Sequence, residues 1–219
     1  MTTKPPHRSH YAWWLLLLIA VWLGYDYWRS SDELSAKEEA VALGWSVEYN
    51  ARTRRHWRNA NGRSWDFTTF NRVTAVGIPT GEGYEQNHHL IQRLNPTALS
   101  ISSAQAMHDL SAIKDLSRLE RLYVKDGTSL SNVDALQNLS SLKEVSLDGS
   151  TSLKNVDGLK KLPVLKKVWL RGCTSLTNVD VLRSLPSLEV ADFYLSTGLS
   201  KESIAALKAA LPNAGISGP

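Results

Sequence analysis

Apolar residues in the C-terminal part of the chain return every 23 positions. One column reads Ile113, Leu136, Leu159, Leu182, and three residues on stand Leu116, Leu139, Leu162, Leu185. Leu119, Leu142, Leu165 and Leu188 follow, then Leu122, Val145, Val168 and Ala191, and two residues later Val124, Leu147, Leu170 and Phe193. Leu130, Leu153, Leu176, Leu199 and Val133, Val156, Val179 complete the unit, and the text repeats itself as TSLSNVDAL, TSLKNVDGL, TSLTNVDVL. The two-residue step inside each pair such as Leu122/Val124 has period 2 and predicts a strand with both apolar residues facing inward. The three-residue steps before it have helix-like or 3-10 spacing and predict the segment that covers the other side. The register continues upstream through Leu99/Ile101 to Val76/Ile78, so six strand rungs are expected.

This pattern matches L-x-x-L-x-L-x-x-N/C, and the chain resembles bacterial leucine-rich-repeat proteins. The segment GCTSLTNV, Gly172 to Val179, is similar to the cysteine-containing subtype of these repeats. Its N/C column departs from the commonest form, reading Gly127, Ser150, Cys173, Ser196. The resemblance implies an α/β solenoid with parallel strands on its concave face, in which each unit buries its leucines only against its neighbours. It also implies a binding surface, with no catalytic residues and no cofactor.

The ends of such a stack must differ from its middle. ESIAALKAAL, Glu202 to Leu211, predicts a closing helix that stops at Pro212. ALPNAGI at its end resembles the closing segment of bacterial members of this class. Upstream, Ser31 or Asp32 is expected to cap a helix that Gly44 ends. Trp45 to Tyr49 then alternates as a strand, and Asn61-Gly62 with Trp65-Asp66-Phe67 reads as a hairpin. The connection from Pro79 to His89 reads as an irregular loop. EEAVALGWSVEY, Glu38 to Tyr49, looks like the lead-in of bacterial membrane-anchored proteins of this class. A further column, Ser111, Asp134, Asp157, Asp180, Ser203, is expected to cap the helical segments it precedes. A calcium ladder on the three aspartates is the alternative, but the neighbouring Val156 and Val179 supply no oxygen ligands.

Residues Tyr11 to Leu23, YAWWLLLLIAVWL, form the most apolar run of the chain. Aromatic residues flank it on both sides, Tyr11, Trp13, Trp14 and Trp22, Tyr25, Tyr27, Trp28, as in an interfacially anchored transmembrane helix. Counted strictly, the run is short for a span. A cleaved signal peptide would need small residues before the cut, and Gly24 to Trp28 offers none. Lys4 and Arg8 precede the run, which favours an N-terminus inside and the remainder outside. The expected division is a cytoplasmic tail over 1–10, a transmembrane signal-anchor helix over 11–28, a linker and N-terminal cap over 29–70, repeats over 71–201, and a closing helix and tail over 202–219. The repeats would then be periplasmic or extracellular.

Composition removes several function classes. One cysteine in the chain excludes an intramolecular disulfide and argues against a Cys-based zinc site. No phosphate-binding loop, G-x-S-x-G, H-E-x-x-H or C-x-x-C is present. His88 and His89 are adjacent, which is the wrong spacing for ligands on one helix face. Cys173 reads as a small buried residue in a turn. RTRRHWRNANGR, Arg52 to Arg63, is basic, but charge alone drives only non-specific nucleic-acid contacts. Contact with anionic lipid heads or envelope polymers, or a solvated hairpin face, fits it better.

Residues flanking each buried pair point out of the concave face. They are Arg121, Tyr123, Lys125; Glu144, Ser146, Asp148; Lys167, Trp169, Arg171; and Val190, Asp192, Tyr194. Trp, Tyr and Arg are the types enriched at binding hot spots. A site centred on Trp169 with Tyr123 and Tyr194 is therefore expected, although Trp169 packing across the strands onto Tyr123, Ser146 or Tyr194 accounts for it equally well. The reading is a non-catalytic, membrane-anchored protein-protein interaction module whose partner is a protein or an envelope polymer. A self-associating envelope component and an accessory subunit of an enzyme complex are the alternatives.

Overall fold

The structure, a computed structural model, describes residues 9–49, 54–58, 64–68 and 73–219. The chain runs α1 (Ser9–Ala42), β1 (Ser46–Tyr49), β2 (Arg54–Arg58), β3 (Ser64–Thr68), β4 (Val73–Ile78), α2 (Gly81–Gln86), α3 (His88–Leu94) and β5 (Ala98–Ile101). Then follow β6 (Arg121–Val124), β7 (Glu144–Ser146), β8 (Lys167–Trp169), β9 (Val190–Asp192), α4 (Lys201–Ala210) and β10 (Gly215–Ser217).

The 23-residue period becomes hydrogen-bond register. Strands β4 to β9 pair in parallel, with Ala75, Ala98, Arg121, Glu144, Lys167 and Val190 as successive partners. These are the six rungs expected from the 23-residue repeat. Short 3-10 turns, Ser111–Ile113, Asp134–Asn138, Asp157–Leu159 and Asp180–Ser184, cover the opposite side. The leucine columns between the two layers are buried. Strand β10 lengthens the sheet beyond the expected rungs. It pairs with β9 in parallel, but Gly215 meets Val190 and breaks the 23-residue step, which hides it from the periodicity.

At the other end β1 pairs antiparallel with β4, so the sheet has eight strands in the order β1-β4-β5-β6-β7-β8-β9-β10. Gly44, at φ +79°, ends α1. The Trp45 N–H returns to the Ala40 carbonyl at 3.0 Å and the Gly44 N–H to Val41 at 3.0 Å, the paired bonds of a Schellman cap. Trp45 and Ala40 are buried beneath it. Polar contacts also hold α1 to the stack. Glu33 accepts the Val73 N–H at 2.7 Å, and Arg93 of α3 bonds Asp32 at 2.8 Å and Glu39 at 3.2 Å.

Several local expectations change. The helix expected to start at Ser31 is the C-terminal part of one continuous helix, because no Pro or Gly interrupts Tyr25 to Leu43. Pro79 to His89 is not irregular: Thr80 caps α2 by accepting the Gly83 N–H at 3.1 Å, Tyr84 is buried, and His88 and His89 open α3. The β2–β3 hairpin forms with Trp57 opposite Trp65, while the Asn61-Gly62 turn, the tail over 1–8 and Arg52 lie outside the described residues.

The helix caps fall on a different column from the one expected. Among the 3-10 turns, Asn132, Asn155 and Asn178 accept the N–H of Asp134, Asp157 and Asp180 at 2.6, 3.2 and 2.9 Å. Asp109 does the same for Ser111 at 2.8 Å, and Ser200, not Ser203, caps α4. The aspartates occupy the first position of each turn, one step too late to cap it. The span expected over 11–28 is also not met: among the described residues no helix is long and apolar enough to cross a membrane. The helix has 34 residues, but its uninterrupted apolar run, Tyr11 to Leu23, covers about 20 Å against a hydrocarbon core of about 30 Å.

Candidate functional site

Pleating decides which side chains reach the concave face. Leu122 and Val124, and their equivalents on β7 to β9, point into the core, so the residues between and beside them project outward. Strands β6, β7 and β8 thereby bring Tyr123, Glu144, Lys167 and Trp169 together. The Tyr123 hydroxyl donates to Glu144 Oε2 at 2.7 Å, and Lys167 Nζ lies 3.0 Å from Glu144 Oε1. The Tyr123 and Trp169 rings lean toward each other above Ser146, with centroids 6.4 Å apart at 37°. The cross-strand packing allowed by the sequence is therefore present between these two rings. Both remain half-buried and keep surface toward solvent.

The hydrogen bond from Tyr123 and the charge of Lys167 hold the Glu144 carboxyl below its ordinary range. Burial, helped by Glu144, pushes the Tyr123 phenol up to about 12, so it remains a donor at every ordinary pH.

A second cluster lies one rung further on. Arg171 reaches Asp192 Oδ2 through Nε and Nη2, each at 2.7 Å. Asp192 Oδ1 accepts the Tyr194 N–H at 3.0 Å, and Asp148 Oδ1 accepts the Arg171 N–H at 2.9 Å. Tyr194 and the neighbouring Leu195 are exposed at the rim, and Arg121 and Lys125 are exposed beside Tyr123. Leu195 holds φ +61°, where the equivalent Gly149 and Gly172 hold +75° and +66°. A bulky side chain tolerates this conformation poorly.

A hollow of about 260 Å³ opens between the first cluster and β5, lined by Ser100, Ser102, Tyr123, Lys125, Ser146 and Asp148. Ser102 escapes sequence reasoning, because a small hydroxyl residue carries no hot-spot signal. The concavity thus lies to the N-terminal side of Trp169, while the expected site was centred on the C-terminal half.

This surface can donate and accept hydrogen bonds and offer aromatic faces, and several of its acids are held by neighbours. Glu144 and Asp192 each have both carboxylate oxygens in contact with a partner, and Asp148 holds a backbone N–H. Elsewhere, His89 lies 3.4 Å from Glu39 at the α1–α3 contact. Among the described residues no three His, Cys, Asp or Glu side chains form a group that could hold a metal ion. Cys173 is fully buried, and its thiol donates to the Leu147 carbonyl at 3.3 Å.

No protein-family model matches the chain, and no curated protein matches it. Among solved structures the chain is similar to internalin C2 from Listeria monocytogenes, at 23% identity over 66% of this chain and 70% of that one, with a TM-score of 0.41.

Proposed function

We propose that this chain is a non-catalytic binding module, attached to a membrane by the N-terminal part of α1 and presenting its concave strands to a protein partner outside the cytoplasm. One observation carries the binding reading: an aromatic pair and two ion-paired clusters stand fixed on β6 to β9 with their carboxylates engaged. Such a surface is preorganised, so little side-chain freedom is lost when a partner docks. Attachment is supported by Trp14, Leu17, Leu18, Val21, Trp22, Tyr25 and Trp28, each more than half exposed along α1. In this reading these exposed aromatic and apolar side chains sit in the bilayer interface. Outward display rests on Lys4 and Arg8 preceding that run.

A photocrosslinking residue at Ser146 is expected to capture a partner in intact cells, and Trp169→Ala to abolish that adduct while the thermal midpoint stays nearly unchanged. The same crosslinker at Lys161, off the concave face, is expected to capture nothing in common with it. Identical adducts with and without Trp169 would overturn the site. Protease added to intact cells tests the outward display, which complete protection of the repeats would refute.

A further inference from the structure

We propose that the β2–β3 hairpin contacts anionic lipid headgroups and meets the bilayer at the same end of the solenoid as the aromatic part of α1. The proposal rests on the membrane-attachment reading above and adds a lipid specificity to it.

The juxtaposition follows from register. Strands β1 and β4 pair with Ser46 opposite Gly77 at one end and Tyr49 opposite Val73 at the other. The chain leaves the sheet after Tyr49 and rejoins it at Val73, so the hairpin between them is an excursion from that second end. Helix α1 reaches β1 through the Trp45 turn at the Ser46 end, and its Glu33 lies against the Val73 N–H. It therefore runs antiparallel to β1. Residues Ser9 to Asp32 continue past the Tyr49–Val73 end by about 36 Å at 1.5 Å per residue. The exposed apolar side chains from Trp14 to Trp28 lie on this extension.

Charge selects the partner. Positions 50–72 hold six arginines and one acidic residue, Asp66, so this segment carries more than the chain's whole net charge of +4. Arg54, Arg55 and Arg58 all lie in β2, and Trp57 stands opposite Trp65 across the hairpin. A nucleic acid would be drawn to the arginines but would gain nothing from the apolar extension beside them. An anionic bilayer is served by both, since it takes apolar and aromatic side chains into its interface and attracts basic groups at its surface.

The test is co-flotation of the full chain with vesicles of phosphatidylcholine alone and of phosphatidylcholine mixed with phosphatidylglycerol. The chain is expected to bind both and to prefer the anionic vesicles, with the preference weakening as salt rises. Each arginine near the surface contributes on the order of fivefold in partitioning. The triple variant Arg54→Gln, Arg55→Gln, Arg58→Gln is thus expected to lose on the order of a hundredfold in anionic affinity and to keep its affinity for phosphatidylcholine. The matching Arg→Lys triple is expected to retain the preference. The hairpin lies outside the eight-stranded sheet, so the thermal midpoint of the repeats checks that these variants fold. Equal wild-type binding to both vesicles would overturn the hairpin's role and leave attachment standing. Binding to neither would overturn attachment itself, and the hairpin proposal with it. Tighter binding to a single-stranded oligonucleotide than to the anionic vesicles would assign the hairpin to nucleic acid and overturn the proposal.

Discussion

At Cys173 burial decides the chemistry. Loss of solvation pushes the thiol up to about 12, and the nucleophilic thiolate is correspondingly rare. Native protein is expected to leave Cys173 unmodified by a chromogenic disulfide reagent at mildly alkaline pH, and one thiol is expected to react once urea unfolds the chain. Rapid modification of the folded protein would contradict the buried placement. The Tyr123–Glu144 bond makes a pH-dependent claim. The Glu144 carboxyl is lower in the folded chain, so its contribution is present above the ordinary carboxylate value of 4.5 and is lost as pH falls below it. The Tyr123 phenol is higher in the folded chain, so its contribution is present below pH 10.0 and is lost as pH rises toward about 12. Tyr123→Phe is therefore expected to lower stability by about 1.5 kcal/mol between those limits, the scale of a hydrogen bond to a charged group. Urea unfolding checks this, and the difference from wild type should shrink in acid and in strong alkali.

Among the elements, the turns of the convex side carry the sharpest lesson about what the sequence makes legible. The strand ladder can be read in advance because Leu122/Val124 and their repeats combine period 2 with a fixed 23-residue return, and no helix satisfies both. The caps are misassigned because a 3-10 turn receives its cap bond from two residues upstream. In N-V-D the acceptor is therefore the asparagine, while the aspartate only supplies the donor. Asn155→Ala is expected to cost about 1 kcal/mol in urea unfolding and Asp157→Ala clearly less; the reverse order would restore the aspartate as the cap. Helix α2 is hidden by Gly81 and Gly83, which resemble loop residues until Thr80 is seen to cap them. The continuity of α1 is hidden by Ser31 and Asp32, which look like a start signal but sit inside a helix that nothing interrupts. At the candidate site Tyr123 and Trp169 are visible in the sequence as aromatic exceptions on exposed columns. The hollow beside them is not, because a concavity depends on how several rungs stand side by side and on small residues such as Ser100 and Ser102.

For the whole molecule, stability passes between neighbours, and the two ends close the stack by different means. Helix α4 and β10 cover Phe193 and Leu199 at the C-terminal end, while β1, α1 and α3 cover the N-terminal end. Removing residues 201–219 is expected to lower the urea midpoint, with roughly 1.5–3 kcal/mol lost for each large apolar side chain newly exposed at Phe193 and Leu199. An unchanged midpoint would mean that the last rung does not depend on its cover. The backbone ladder has a consequence for how such a molecule changes over generations. Asp126, Gly149 and Gly172 each donate to a carbonyl at the same offset, on Asp148, Arg171 and Tyr194. A whole 23-residue unit can therefore be spliced in or out and both neighbours still find their acceptors, whereas one residue more or fewer misaligns every bond beyond it. The near-identical TSL-x-NVD segments are natural crossover points for such an exchange. Length is thus quantised: the reach of the concave face grows or shrinks by one strand spacing, about 4.8 Å, at each recombination, and the core needs no redesign.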